Sequence, residues 1–296
     1  MVLTFRIHAM ASPLRALFES STTHTVHSVF ENTVNLERGG DLVALTHRFS
    51  PLSPMGIALN LTKETLQAIG FRVGDQVTLS PQGIKVRDTL LTLDHIRLVD
   101  LTIQPFAQGA HAPKITALKS SLHTWLQSSE AKGDLASAWQ ILNDKPRHQD
   151  KSGDNPYSPH LSTLENPLSH TDFANALKPL IGLGEGLTPS GDDFITGLFA
   201  AFHAMRRTPF IQNRLNTMNE YLPDAFTRTT DISQAYLTYA QQGMFNIHVK
   251  DLLTTEHPAH HDKHIQEISK LGHSSGTDFI VGLYTGMKIG GNNHDS

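Results

Sequence analysis

Apolar and polar positions alternate through the first third of the chain in short runs broken by turn residues. Thr33–Arg38 and Asp41–His47 are strand-like runs joined by Gly39-Gly40, a two-residue hairpin signal because both positions tolerate φ > 0. Ser50–Pro54 reads as a turn, and Gly56–Leu61 resumes the extended pattern. Gln76–Ser80 and Ile84–Arg87 flank the turn Pro81-Gln82-Gly83, and Leu90–Ile103 continues in short β-type runs. Two brief helices interrupt. One starts at Ser12-Pro13, where a cap precedes a first-turn proline, and the other covers Thr62–Ile69. Short strands with regular turns predict a small barrel or sandwich.

After about residue 110 the period changes. Ile115, Leu118, Leu122, Trp125 and Leu126 fall at helical spacing within Pro113–Glu130, and Leu135–Leu142 repeats the behaviour. Lys145–His170, with four prolines among many polar residues, reads as a long loop. Helical runs are then expected at roughly 171–180, 191–206, 208–221, 231–242, 245–254, 262–271 and 276–288. The expected class is α+β: a β-rich, barrel- or sandwich-like domain over residues 1–110 and a helical domain over 111–296.

Composition narrows the partners. Of 296 residues 39% are apolar and 18% charged, and 24 basic against 28 acidic residues leave a net charge of −4. That balance excludes a disordered acidic chain and a polybasic nucleic-acid arm. The absence of cysteine removes disulfides, thiolate metal sites and a Cys nucleophile. Met1–Ser20 has no basic stretch followed by an apolar one, and the longest apolar run, Phe194–Met205, is too short for a bilayer. A cytoplasmic protein without membrane or nucleic-acid partners is therefore expected.

The segment Ile181-Gly-Leu-Gly-Glu-Gly-Leu-Thr-Pro-Ser-Gly-Asp-Asp-Phe194 carries the most information. Glycines at 182, 184 and 186 let backbone N–H groups converge without Cβ obstruction, and the following helix start adds partial positive charge. The combination suits phosphate or carboxylate. It is not a Walker A loop, since no Gly-Lys-Ser/Thr follows, nor a dinucleotide fingerprint, since the glycines are mis-spaced and no βαβ unit surrounds them.

A second copy lies 85 residues on. Ser190-Gly-Asp-Asp-Phe-Ile-Thr-Gly-Leu198 aligns without gaps on Ser275-Gly-Thr-Asp-Phe-Ile-Val-Gly-Leu283, identical in seven of nine columns. Gly197 and Ala201 correspond to Gly282 and Gly286, a small-residue stripe that lets two helix backbones approach closely. The two helices are expected to pack through that stripe and to turn their Ser-Gly-x-Asp corners toward one cleft.

The candidate anion ligands are the amides around Gly184, Glu185 and Gly186, those at Ser190-Gly191 and Ser275-Gly276, and the hydroxyls of Thr188, Ser190, Ser274 and Ser275. Asp192 or Asp193 would orient an amide nitrogen or a histidine, Asp278 is the repeat's counterpart of Asp193, and His273 is the candidate proton donor. The block Arg228-Thr229-Thr230-Asp231-Ile232-Ser233 offers further hydroxyls and a cation, or simply a helix cap by Thr230. Capping by Ser190 and Ser275, with Asp193 and Asp278 at the third helical position, is the bland alternative. It leaves the three loop glycines unexplained. His257, His260, His261 and His264 have metal-compatible spacing but sit in a polar stretch that reads as a solvated helix start; neither metal nor cofactor is expected.

Taken together, Gly182-Leu-Gly-Glu-Gly-Leu-Thr-Pro-Ser-Gly-Asp-Asp193, Gly272-His-Ser-Ser-Gly-Thr-Asp278 and the Thr229-Thr230…Ser233 block resemble the AllH-like family, one member of which is a subunit of bacterial oxamate carbamoyltransferase. Val29-Phe30, Val34-Asn35-Leu36 and the hairpin are similar to that family's opening. The resemblance implies purine-nitrogen (allantoin) catabolism, in which oxalurate and phosphate become oxamate and carbamoyl phosphate, and it implies partner subunits. A non-catalytic scaffold subunit and a stand-alone hydrolase of a small amide remain the alternatives.

Overall fold

The alternating runs of the N-terminal third form strands because each carries one apolar face. The computed structural model describes residues 3–107, 111–143, 155–165 and 168–291. It divides into two compact units, one running to Thr102 together with Phe245–Ile247, the other made of Ile103–Met244 and His248 onward.

The first unit contains β1 (Leu3–Ala11), β2 (Thr22–Val29), β3 (Thr33–Arg38), β4 (Asp41–His47), β5 (Gly56–Leu59), β6 (Gln76–Ser80), β7 (Gly83–Val86), β8 (Thr89–Thr92) and β9 (Arg97–Val99). They join in the order β5-β4-β3-β2-β6-β7-β8-β1-β9, and β1 also pairs with β5, so eight strands close into a mixed β-barrel. Closure turns on the length of β1. Its first half runs parallel to β8, with Phe5 opposite Leu91, and its second half parallel to β9, with Met10 opposite Leu98. The other edge of β1 pairs antiparallel with β5, Ile7 opposite Leu59.

The β3–β4 hairpin has the expected register, Val34 opposite Leu45 and Arg38 opposite Asp41. Gly39 and Gly40 take φ of +63° and +92°, the double positive-φ turn that matches strand twist. Leu36, Leu45, Ile57, Val77, Leu79, Ile84 and Leu91 are fully buried in the barrel core. Helix α1 (Lys63–Ala68) is capped by Thr62, whose hydroxyl accepts the Thr65 N–H at 3.3 Å. The helix expected from Ser12-Pro13 is a 3-10 segment, Ser12–Phe18. Neither β1 nor β2 was anticipated from the pattern: β1 interleaves Arg6 and His8 with its apolar residues, and β2 is mostly Thr, His and Ser.

The second unit is helical: α2 (His111–Leu126), α3 (Asp134–Asn143), α4 (Ser158–Glu165), α5 (His170–Leu177), α6 (Ser190–Met205), α7 (Pro209–Tyr221), α8 (Pro223–Phe226), α9 (Asp231–Gln241), α10 (Ile247–Thr254), α11 (His261–Ser269) and α12 (Ser275–Gly291). Part of the long loop expected over Lys145–His170 is corrected: Ser158–Glu165 is helix, and Ser169 caps α5 by accepting the Asp172 N–H. The rest of that segment, residues 145–154, 166 and 167, lies outside the described residues. No described helix is long and apolar enough to cross a membrane.

The unit is organised around α6 and α12. Nearly every residue of α6 from Phe194 to Met205 is buried, as befits a helix surrounded by others. Its closest neighbour is α12, and the glycines show how close. A Cβ on Gly197 would lie 2.1 Å from the Phe279 carbonyl oxygen, and one on Gly282 would lie 2.0 Å from that of Phe194. On Gly286 it would lie 2.4 Å from the Ala201 Cβ. The helices touch backbone to backbone along the stripe expected from the repeat.

Candidate functional site

The repeat extends beyond the helices to the turns that start them. In the first copy the Leu183 N–H donates to the Leu180 carbonyl and the Gly191 N–H to the Leu183 carbonyl. In the second the Leu271 N–H donates to Ile268 and the Gly276 N–H to Leu271. A Cβ on Gly191 would lie 2.0 Å from the Leu180 oxygen, and one on Gly276 at the same distance from that of Ile268. Leu183-Gly184 and Leu271-Gly272 thus hold equivalent places, each glycine with positive φ. The first copy carries three more residues in its loop.

The two corners meet. Thr188 Oγ1 of the first loop is 2.8 Å from Ser275 Oγ at the start of α12. Ser275 and Thr188 flank the carboxylate of Asp193, while Ser190 and Ser274 flank that of Asp278, so each acid faces the serine that starts the other helix. For Ser190 the capping alternative is not met. Ser190 is the first residue of α6 and makes no side-chain cap bond; the residue preceding the helix is Pro189.

The acids are short of partners. Asp278 is wholly buried, and among the described residues neither of its oxygens has a well-formed hydrogen bond, although Ser190 and Ser274 stand close enough to oppose the rise in its pKa. Asp193 is half-buried as a residue, yet its Oδ2 is sealed from solvent and also unpartnered. Burial pushes the Asp278 carboxyl up to about 6 against a relief from Ser190 and Ser274. Asp193 is pushed well above the usual carboxylate range, by burial first and by the charge of Asp278 as well. Two adjacent acids raised in this way are a feature that functional sites often carry.

Asp192 behaves differently. Its Oδ1 accepts the Gly182 N–H at 2.9 Å, and its Oδ2 accepts the hydroxyls of Ser233, at 2.7 Å, and Thr229. Burial raises its pKa, but every donor around it opposes the rise. Asp192 ties the Gly-rich loop to the start of α9. Thr230 caps α9 by accepting the Ser233 N–H at 3.1 Å, and donates its own proton to the Leu187 carbonyl. Arg228 donates to the Lys178 carbonyl, so the block Arg228–Ser233 supports the loop from outside. Thr277 stands where Asp192 would be in the second copy.

The loop itself is open. Gly184, Glu185, Gly186 and Leu187 are exposed, and their amides make no hydrogen bond among the described residues. A Cβ on Gly184 would lie 2.7 Å from the Ser190 nitrogen and 2.9 Å from the Tyr157 hydroxyl. His273 is exposed on the second corner.

Two contributors were missed in the sequence. Tyr157, 3% exposed, donates its hydroxyl to the Leu183 carbonyl at 3.4 Å and lies beside Ser190; burial raises its phenol pKa. Its signal was Ser158-Pro159, a helix start hidden in a loop-like composition. Gly133, with φ +108°, brings the start of α3 against the second corner: a Cβ there would lie 3.3 Å from Ser274 Cβ and 3.6 Å from Asp278 Oδ1. Only the tertiary fold reveals that neighbour.

Residues 180–287, which contain both corners, match the family model described as oxamate carbamoyltransferase subunit AllH. Residues 6–98, the barrel strands, match that of the AllH family N-terminal domain. No solved structure matches the chain. The two matches take in more than half of the 296 residues and cover the repeat and the barrel alike. The chain belongs to the AllH family.

Proposed function

We propose that the chain is a subunit of an oxamate carbamoyltransferase and that its paired corners bind the substrates of that reaction. The observation that carries the proposal is the crossed arrangement of Asp193 and Asp278 with Ser275 and Ser190, beside a glycine loop whose amides are open. The amides of Gly184–Gly186, with the hydroxyls of Thr188 and Ser274, would take phosphate or the oxamate carboxylate; the Gly191 and Gly276 amides, expected to join them, instead donate at 2.9 Å to the Leu183 and Leu271 carbonyls within their own turns. Fully ionised acids would repel such an anion. Their raised pKa values favour a protonated or proton-sharing pair, which would donate to an oxygen or accept from a carbamoyl NH₂.

In the reaction a phosphate oxygen bonds to the carbamoyl carbon of oxalurate through a negatively charged tetrahedral centre. The bond to the oxamate nitrogen then breaks and that nitrogen takes a proton. Fixed N–H and O–H donors stabilise the centre. His273 or the Asp193–Asp278 pair would supply the proton, and Asp192 would hold the loop in shape. The proposal includes the pathway, catabolism of purine nitrogen through allantoin in the cytoplasm, and a division into domains at 1–110 and 111–296. The compact units support that division, apart from the excursion of Phe245–Ile247; residues 108–110 lie outside the described residues.

Calorimetry of the purified chain with carbamoyl phosphate, phosphate and oxamate tests the site, alongside carbamoyl phosphate formation by the complex reconstituted with its partner subunits. The double variant Ser190→Ala/Asp193→Ala should abolish binding and activity while keeping its circular dichroism spectrum. Unchanged activity in that variant would remove the site. Assembly with the partners without any ligand binding would make the chain a scaffold.

A further inference from the structure

Away from the corners, His248 and Asp251 on α10 and His264 on α11 bring one ligand atom each, two imidazole nitrogens and a carboxylate oxygen, to within 4.8 Å of one another. His248 and Asp251 are three residues apart on one helix and so share a face. His264 reaches them from the next helix across the Thr255–His260 connection. All three are half-buried, reachable by a small ion but partly shielded from water. A second observation points the same way: Nδ1 of His264 is buried and meets no hydrogen-bond partner among the described residues. An imidazole nitrogen so placed is a lone pair or an N–H without an acceptor, a cost of roughly 1–3 kcal/mol that a metal ion bound at that nitrogen would remove.

We infer that His248, Asp251 and His264 form a binding site for a divalent late first-row metal ion, with zinc the best fit. The donor set selects the class. Two imidazoles with one carboxylate suit zinc, cobalt and nickel, whereas magnesium and calcium require oxygen ligands. Metal–nitrogen and metal–oxygen bonds of about 2.0–2.2 Å put neighbouring ligand atoms of a tetrahedral site roughly 3.4 Å apart, within reach of small side-chain rotations from the present spacing. Three protein ligands leave one position for water or another ligand. Glu267, one turn beyond His264, is engaged by Lys270 at 2.7 Å.

The other histidines nearby do not share the site. His257 and His260 are exposed and face each other, with ring centroids 5.5 Å apart, and His261 is buried with its Nδ1 3.1 Å from Ser121 Oγ. The metal would clamp α10 to α11. The end of α11 supplies the Ile268 carbonyl packed against Gly276, so the clamp would brace the second corner.

The test uses the full chain stripped of metal with a chelator. Zinc is titrated by calorimetry, and cobalt by its visible ligand-field absorption, which is intense only in low-symmetry tetrahedral or five-coordinate sites. The expected result is one tight site per chain and a higher melting temperature with zinc. His248→Ala and His264→Ala should each weaken zinc binding by more than the roughly 10–100-fold known for loss of an outer partner, and Asp251→Asn, which preserves shape, should abolish the cobalt band. His257→Ala/His260→Ala should leave both readouts intact. Binding that survives His264→Ala and Asp251→Asn but vanishes in His257→Ala/His260→Ala would overturn the assignment, as would the absence of a tight site.

Discussion

Asp278→Asn should make this protein more stable at neutral pH. The wild-type carboxyl is wholly buried, neither oxygen has a well-formed hydrogen bond among the described residues, and burial pushes its pKa up from 3.8 to about 6. Roughly two powers of ten in acidity at about 1.4 kcal/mol each correspond to about 3 kcal/mol. The sign follows from proton counting. Between 3.8 and about 6 the folded chain holds a proton that the unfolded chain has released, so stability falls as pH rises through that window. Above about 6 the full penalty stands; below 3.8 it is absent. Asparagine has nearly the same shape and cannot ionise, and it also removes the charge that helps to raise Asp193. The variant should exceed the wild type by up to about 3 kcal/mol at pH 8 and by about 0.5 kcal/mol at pH 4. Urea unfolding at both pH values, followed by the helical signal, measures the difference. A variant less stable than the wild type by the same amount at both pH values would refute the reasoning, because it would mean that the carboxylate is well satisfied. A group kept at this cost fits a functional role, so the same variant should lose the proposed ligand binding.

Gly282→Ala forces a methyl group to 2.0 Å from the Phe194 carbonyl, where only helix backbone could yield, and should cost about 3 kcal/mol or more in urea unfolding. Gly186→Ala, in open space at φ +89°, should cost only about 1–2 kcal/mol; equal effects would refute the backbone contact of α6 and α12. His203 has the opposite pH signature to Asp278. It is buried beside Arg206, donates Nε2–H to the Gln241 carbonyl at 3.2 Å, and has its pKa lowered from 6.5 to about 4, mainly by burial. The folded chain binds fewer protons there, so the contribution of His203 is present above 6.5 and lost as pH falls toward about 4. His203→Gln should flatten that acid loss by up to about 3 kcal/mol, and an unchanged acid limb would count against the buried neutral imidazole.

Residue order alone revealed the change from period-two to helical patterning near residue 110, the β3–β4 hairpin and the duplicated Ser-Gly-x-Asp corner with its glycine stripe. Each is local: a turn residue, a periodicity or a short repeat is written in adjacent positions. The loop-like composition of 145–170 concealed α4 and Tyr157, because proline and serine start helices as readily as they fill loops. The roles of the acids were not legible. Asp192 and Asp193 are neighbours in sequence, but successive residues on a helix point about 100° apart. One therefore meets Gly182, Thr229 and Ser233, and the other meets Ser275 and the charge of Asp278. Burial, exchange of partners between the two copies, and the unpaired oxygens of Asp278 arise from contacts between segments some 85 residues apart. Such contacts, and the pKa values that depend on them, exist only once the helices have packed.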